Sequence, residues 1–146
     1  MPSAQVLRVQ VYDTLLERGL PPTCADLAEL YGEPVDAIRA ALGGLKIGKA
    51  IHMRPDGSEI WMAGPFSAES TPHRITGHRT AWWANCAWDA VGVAVIANET
   101  ARVSTTCPDC EEDIDFVADP ARPPSSDLVA HFLVPARHWY DDLGFT

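Results

Sequence analysis

Cysteine is scarce in this chain of 146 residues: Cys24, Cys86, Cys107 and Cys110 are all there are. Four unevenly spaced thiols are too few for a disulfide-held scaffold and fit a reducing compartment, so the chain is expected to be cytoplasmic with its thiols reduced. Cations are few as well, 11 Lys and Arg against 20 Asp and Glu, for a formal net charge of −9. Gripping a nucleic-acid backbone takes a surplus of positive charge, so general nucleic-acid binding is disfavoured. No apolar run approaches the length that crosses a bilayer, and Met1-Pro2-Ser3-Ala4-Gln5 lacks the basic and apolar regions of a signal peptide. What is plentiful is apolar side chain, 47% of residues, enough for a sizeable core in one compact domain or two small ones.

The first sixty or so residues read as a unit. Val6, Leu7, Val9, Val11, Leu15 and Leu16 recur with mainly helical spacing, and Gly19 with Pro21-Pro22 stops that helix. Thr23 starts a second helix, with Asp26 three residues on and Leu27 and Leu30 as its inner face, ending near Gly32. Pro34 suits the first turn of a third helix through Val35, Ile38, Ala41, Leu42 and Leu45, weakened at its end by Gly43-Gly44. Ala50-Ile51-His52-Met53 and Glu59-Ile60-Trp61-Met62 then alternate around Arg54-Pro55-Asp56-Gly57-Ser58 as a hairpin. Three helices and a hairpin predict a winged helix-turn-helix-like domain over residues 1–63. Its third helix sets Arg39 and Lys46 against Glu33 and Asp36, and Lys49 and Arg54 are the cations in or near the wing, so packing is favoured over DNA recognition.

Residues 64–80, rich in Pro, Ser, Thr and Gly, are expected to be a linker. Its His73, Arg74, His78 and Arg79 either line a pocket or are solvated. The remainder, 81–146, is expected to be a small mixed β-sheet carrying a cysteine-bearing helix, making the whole chain α+β. Trp82-Trp83 reads as the approach to that helix, and Val91 to Ile96 as helix end or strand. Ala101 to Thr105, Ile114 to Val117 and Leu128 to Val134 read as strands, and Asp119 to Ser126 as an irregular loop.

Two thiol patterns carry chemistry. Cys86 and Asp89 are three apart, so a helix puts both on one face. They are either a small packed cysteine with a solvated carboxylate or a soft nucleophile beside a proton carrier. Cys107-Pro108-Asp109-Cys110 is a plain turn with quiet thiols, a redox or soft-metal dithiol, or half of a zinc knuckle. Structural zinc is disfavoured there because no second pair completes four ligands.

The run Asn85-Cys86-Ala87-Trp88-Asp89-Ala90-Val91-Gly92-Val93 is preceded by Gly64-Pro65-Phe66-Ser67 and Thr71-Pro72-His73-Arg74, and followed by Thr100-Ala101-Arg102-Val103-Ser104. Together these resemble the alkylmercury (organomercurial) lyase family, most strongly over residues 64 to 110. The resemblance implies protonolysis of a carbon–mercury bond, with Cys86 capturing mercury and Asp89 delivering the proton. It implies a small organomercurial as partner, no required cofactor, mercury(II) as product ligand and an external thiol as co-reactant. It also implies that the Cys86 helix runs on through Val91 to Ile96, and that Cys107 is structural. A helix start at Cys86 is expected to favour the thiolate and make this the most reactive thiol.

The resemblance further implies a second essential cysteine after the match to Trp139 through Thr146, where this sequence stops. The expectation is therefore mercury capture by Cys86 with slow or absent cleavage, unless Cys107 or Cys110 substitutes. The alternative class is a non-enzymatic thiol-based metal-binding protein or a metal-sensing winged-helix regulator.

Overall fold

The computed structural model describes residues 1–45, 50–123 and 127–144. Helices α1 (Ala4–Arg18), α2 (Cys24–Tyr31) and α3 (Val35–Gly44) come first. Strands β1 (Ile51–Met53), β2 (Ile60–Ala63), β3 (Phe66–Ser67), β4 (Arg74–Thr76) and β5 (Ala81–Ala84) follow, then α4 (Ala87–Ala97), β6 (Ala101–Thr106) and β7 (Asp113–Ala118). The expected α+β class holds, but the sheet is not mixed. Its seven strands lie in the order β1-β2-β3-β5-β4-β6-β7 and every neighbouring pair is antiparallel. Lys46, expected on the third helix, and Lys49, expected in or near the wing, lie outside the described residues, as do Pro124 to Ser126 of the expected loop and Phe145-Thr146.

Helix boundaries follow the local chemistry. Ser3 caps α1 by accepting from Val6 N–H, and Gly19 ends it in the left-handed region at φ 82°. Thr23 and Asp26 form a reciprocal capping box on α2, and Gly32 at φ 64° closes it. Pro34 stands one residue before α3 as its N-cap. The apolar faces are narrower than the spacing predicts: Leu7, Val11 and Leu15 are buried, while Val6, Val9 and Leu30 face solvent and Cys24, Leu27 and Ala28 form the inner face of α2. Arg39 of α3 donates to the Ser58 carbonyl and pairs with Asp36, tying the helix to the hairpin turn.

One apolar cluster joins these helices to the sheet, running from Leu7, Val11 and Leu15 through Ile51, Phe66, Ile75 and Trp82 to Val93 and Val103. Trp82 Nε1 donates to the Leu15 carbonyl at 2.8 Å inside that core, bridging α1 and β5. Gly19 is packed in the same place. A Cβ there would stand 2.2 Å from the Ala81 carbonyl oxygen, in addition to the left-handed backbone. Gly19→Ala is therefore expected to lower stability by about 2 kcal/mol or more, read as the shift in a urea unfolding midpoint; an unchanged midpoint would mean that α1 and β5 part easily.

Three expectations need correction. The linker of 64–80 contains β3 and β4, both inside the sheet: Phe66 pairs with Ala84, and Ile75 with Trp82 and Val103. Its turn residues punctuate two very short strands that the composition hides. Trp82-Trp83 lie in β5, not in the approach to a helix, because their alternation puts Trp82 into the core and leaves Trp83 half-exposed beneath Arg74, 4.4 Å from the ring centroid. Leu128 to Val134 is not a strand: a strand needs a neighbour's backbone, and among the described residues none pairs with it. Val129 and Leu133 are 89% and 76% exposed, while Phe132 turns onto Trp88 and Trp139 at ring-centroid distances of 6.4 and 5.0 Å. Val91 to Ile96 is helical throughout, and among the described residues no helix is long and apolar enough to cross a membrane.

Candidate active site

The junction of β5 and α4 is shaped by the turn before β3. Gly64 sits at φ 54°, and a Cβ there would stand 2.6 Å from the Tyr12 hydroxyl, so the close approach requires glycine. Asn85 clasps this turn through its backbone N–H to the Pro65 carbonyl and its Nδ2 to the Gly64 carbonyl at 2.8 Å. Across α4, Gly92 lies against Pro65, where an added Cβ would touch the ring at 3.4 Å. The chain leaving β5 is thus held while it turns into the helix.

Cys86 is the N-cap of α4, with extended backbone at φ −145° and ψ 174°. Its Sγ accepts the Asp89 backbone N–H at 3.3 Å, and its carbonyl accepts from Ala90. The cap places Cys86 and Asp89 on one side of the first turn, both half-buried and both lining a cavity of about 340 Å³. Around them stand His52 and Met62 from the hairpin, Gly64-Pro65 and Asn85, and the aromatic group Trp88, Phe132, Trp139 and Tyr140. Tyr140 closes over His52 at a ring-centroid distance of 5.8 Å. Aromatic rings and Met62 make the lining mainly apolar, with His52, Asn85, Cys86 and Asp89 as its polar side chains.

Electrostatics revise the expected thiol behaviour. Burial pushes the Cys86 thiol above its ordinary range and the nearby Asp89 carboxylate adds to this; the backbone N–H groups of Asp89 and Trp88 offset it only in part. The expected help from the helix start is present only as an offset: the cap's N–H groups lower the Cys86 thiol, and desolvation outweighs them. Cys107 is lowered instead, by the backbone N–H groups of Cys110 and Asp109. Cys24, buried in α2, is pushed up to about 11 by burial and by Glu59. Asp89 is also raised by burial, against hydrogen bonds from Asn85 and Cys86. Burial thus favours the protonated form of both groups.

Cys107 and Cys110 do not line the cavity; they lie in the turn between β6 and β7. Among the described residues no group of three or more His, Cys, Asp or Glu side chains is placed to hold a metal ion. The linker cations are spread elsewhere: His73 Nδ1 bonds Thr105 at 2.6 Å, Arg74 stacks on Trp83, and the backbone of His78 donates to Glu99. Sequence spacing missed His52, Met62, Asn85 and the C-terminal aromatics. The signal for His52 was its place in an alternating strand, while nothing local in Trp139-Tyr140 marks where that segment folds back.

Residues 66–145, more than half of the chain, match the family model for alkylmercury lyase, MerB. The chain belongs to the alkylmercury lyase family. Cys86, Asp89, Trp88, Phe132, Trp139 and Tyr140 all fall within the matched residues. Among solved structures, the chain is similar to one titled "Crystal structure of the mercury-bound form of MerB2", with a TM-score of 0.62 and 17% identity over 85% of this chain and 60% of that one. That likeness establishes a shared fold, over 60% of the length of the MerB2 chain. A comparison with curated proteins found no match.

Proposed function

We propose that the chain acts as an organomercurial lyase, cleaving a carbon–mercury bond by protonolysis with Cys86 as the mercury ligand and Asp89 as the proton carrier. The observation that carries this reading is the pairing of the two groups in one cavity, with Asp89 N–H 3.3 Å from the Cys86 sulfur. Mercury(II) is soft and favours sulfur over oxygen or nitrogen donors. The thiol of Cys86 displaces the leaving ligand from R–Hg–X, forming R–Hg–S and releasing X⁻, and its proton passes to the Asp89 carboxylate. The carboxylic acid then protonates the carbon, releasing R–H, and the ion remains on sulfur with the carboxylate beside it. No electron changes owner, so no redox cofactor enters the balance.

Burial suits this sequence of steps. A raised Asp89 holds the proton more readily than a solvated carboxylate, which suits a group that must carry a proton to carbon. The aromatic side chains of the lining receive the organic group while Cys86 receives the metal. Residues 1–63 act as a structural part of the same body, giving His52 and Met62 to the cavity wall. The test is to supply the chain with a small organomercurial and an excess of a monothiol, and to measure hydrocarbon in the headspace. Slow release in proportion to protein is expected, since Cys86 is the one thiol lining the cavity among the described residues. Capture of mercury with no release above the protein-free rate would sink the lyase reading and leave a binding protein.

A further inference from the structure

The Cys107-Pro108-Asp109-Cys110 turn takes no part in the cavity chemistry, yet it is built tightly. Cys107 N–H donates to the Glu112 carbonyl at 2.9 Å and Glu111 N–H donates back to the Cys107 carbonyl at 2.9 Å, with Glu111 in the left-handed region at φ 59°. The closed turn brings Cys107 and Cys110, three residues apart, into one solvent-facing tip, where Cys110 is exposed and Cys107 half-exposed. Hydrogen bonding from the Cys110 and Asp109 N–H groups holds the Cys107 thiol below its ordinary range.

The surroundings choose the ligand. Asp109, Glu111, Glu112 and Asp113 follow one another at the tip, a local negative field that draws cations. No third protein ligand joins the two sulfurs among the described residues, so an ion that needs four protein donors, such as zinc, is not served by this chain alone. A soft ion satisfied by two sulfurs in a line is served. We infer that the Cys107 and Cys110 thiols form a second, external metal site that chelates one soft two-coordinate ion, with mercury(II) as the ion of this family's chemistry. Binding forms two metal–sulfur bonds and releases two thiol protons, leaving a neutral S–Hg–S unit with no oxidation or reduction. The site stands on the hairpin and does not depend on cleavage at Cys86; where cleavage occurs, it is a holding place for the ion outside the cavity.

The experiment loads the full chain with mercury(II) chloride, competes it with excess monothiol, and counts retained ions by native mass spectrometry. The Cys86→Ser chain is expected to keep one ion. Adding Cys110→Ser, at an exposed position that leaves the fold alone, is expected to weaken retention by about 100-fold or more, because a chelate's second bond forms at high effective concentration. A starting chain that keeps one ion, and still keeps it in Cys86→Ser, supports the hairpin site and leaves the cavity reading to the headspace measurement, because the lone thiol lining the cavity among the described residues yields its ion to excess monothiol. Loss of the ion in Cys86→Ser with both hairpin thiols intact overturns the proposal. So does unchanged retention after Cys110→Ser, or zinc(II) held as tightly as mercury(II) between two chains.

Discussion

Serine in place of Cys86 is expected to lower hydrocarbon release by at least about 1,000-fold, the scale seen when a covalent nucleophile is removed, while leaving the fold as stable as before or more so. The two halves of this result come from one position. As the N-cap of α4, residue 86 must accept the Asp89 N–H, and the cysteine sulfur does so at 3.3 Å. Serine is among the best N-caps and its shorter, harder acceptor suits the same geometry, so helix stability should change by no more than about 1 kcal/mol, in the favourable direction. A hydroxyl has little affinity for a soft ion, so mercury capture in the cavity is lost. Activity and thermal midpoint measured on the same preparation separate chemistry from folding. Release that survives in Cys86→Ser would move the mercury ligand to another thiol. A collapse of the thermal midpoint would mean that the sulfur fills space a hydroxyl cannot.

How far the sequence led depends on how local the signal is. The caps of α1 and α2 are written in Ser3, Gly19, Thr23, Asp26 and Gly32, each acting within four residues, and the structure places each of them at its helix end. The hairpin of β1 and β2 and the β6–β7 pair are equally local, since alternation and turn residues lie side by side. The expected linker was misread because β3 and β4 owe their existence to partners: Phe66-Ser67 is two residues long and becomes a strand only between β2 and β5. Leu128 to Val134 fails for the converse reason, having alternation without a partner.

The candidate site divides in the same way. The spacing of Cys86 and Asp89 places them together because both belong to one helix turn, and the family motif singled them out. The rest of the cavity is assembled over long separations, with His52 and Met62 brought by the hairpin and Trp139-Tyr140 by a segment far along the chain. The environment of Cys86 is only half legible, because helix position is visible in a sequence and desolvation is not. The favourable N–H is there, yet the burial that overrides it comes from walls the local sequence does not show.

Asp89→Asn is expected to separate capture from cleavage and to reverse the site's cost to stability. Proton delivery by a positioned acid contributes about 10²- to 10⁴-fold, so release of hydrocarbon should fall by that factor. Capture should persist, with the thiol proton leaving to solvent in place of the carboxylate: burial is the first cause of the raised Cys86 thiol, and asparagine removes the Asp89 charge that adds to it. For stability, the Asp89 carboxyl is raised in the folded chain, chiefly by burial, above its value in the unfolded one. The fold therefore favours the protonated form, and the contribution of this group is fully present in acid and lost as pH rises through the folded value. Asparagine does not ionise. The variant should thus be the more stable protein near pH 7, with the difference vanishing as pH falls through the ordinary carboxylate range near pH 4. Urea unfolding at a series of pH values, run beside headspace measurement of hydrocarbon, tests both parts. Full-rate release in Asp89→Asn would assign the proton to another donor. A variant less stable at pH 7 would show that a charge at the start of α4 helps the helix more than its burial costs.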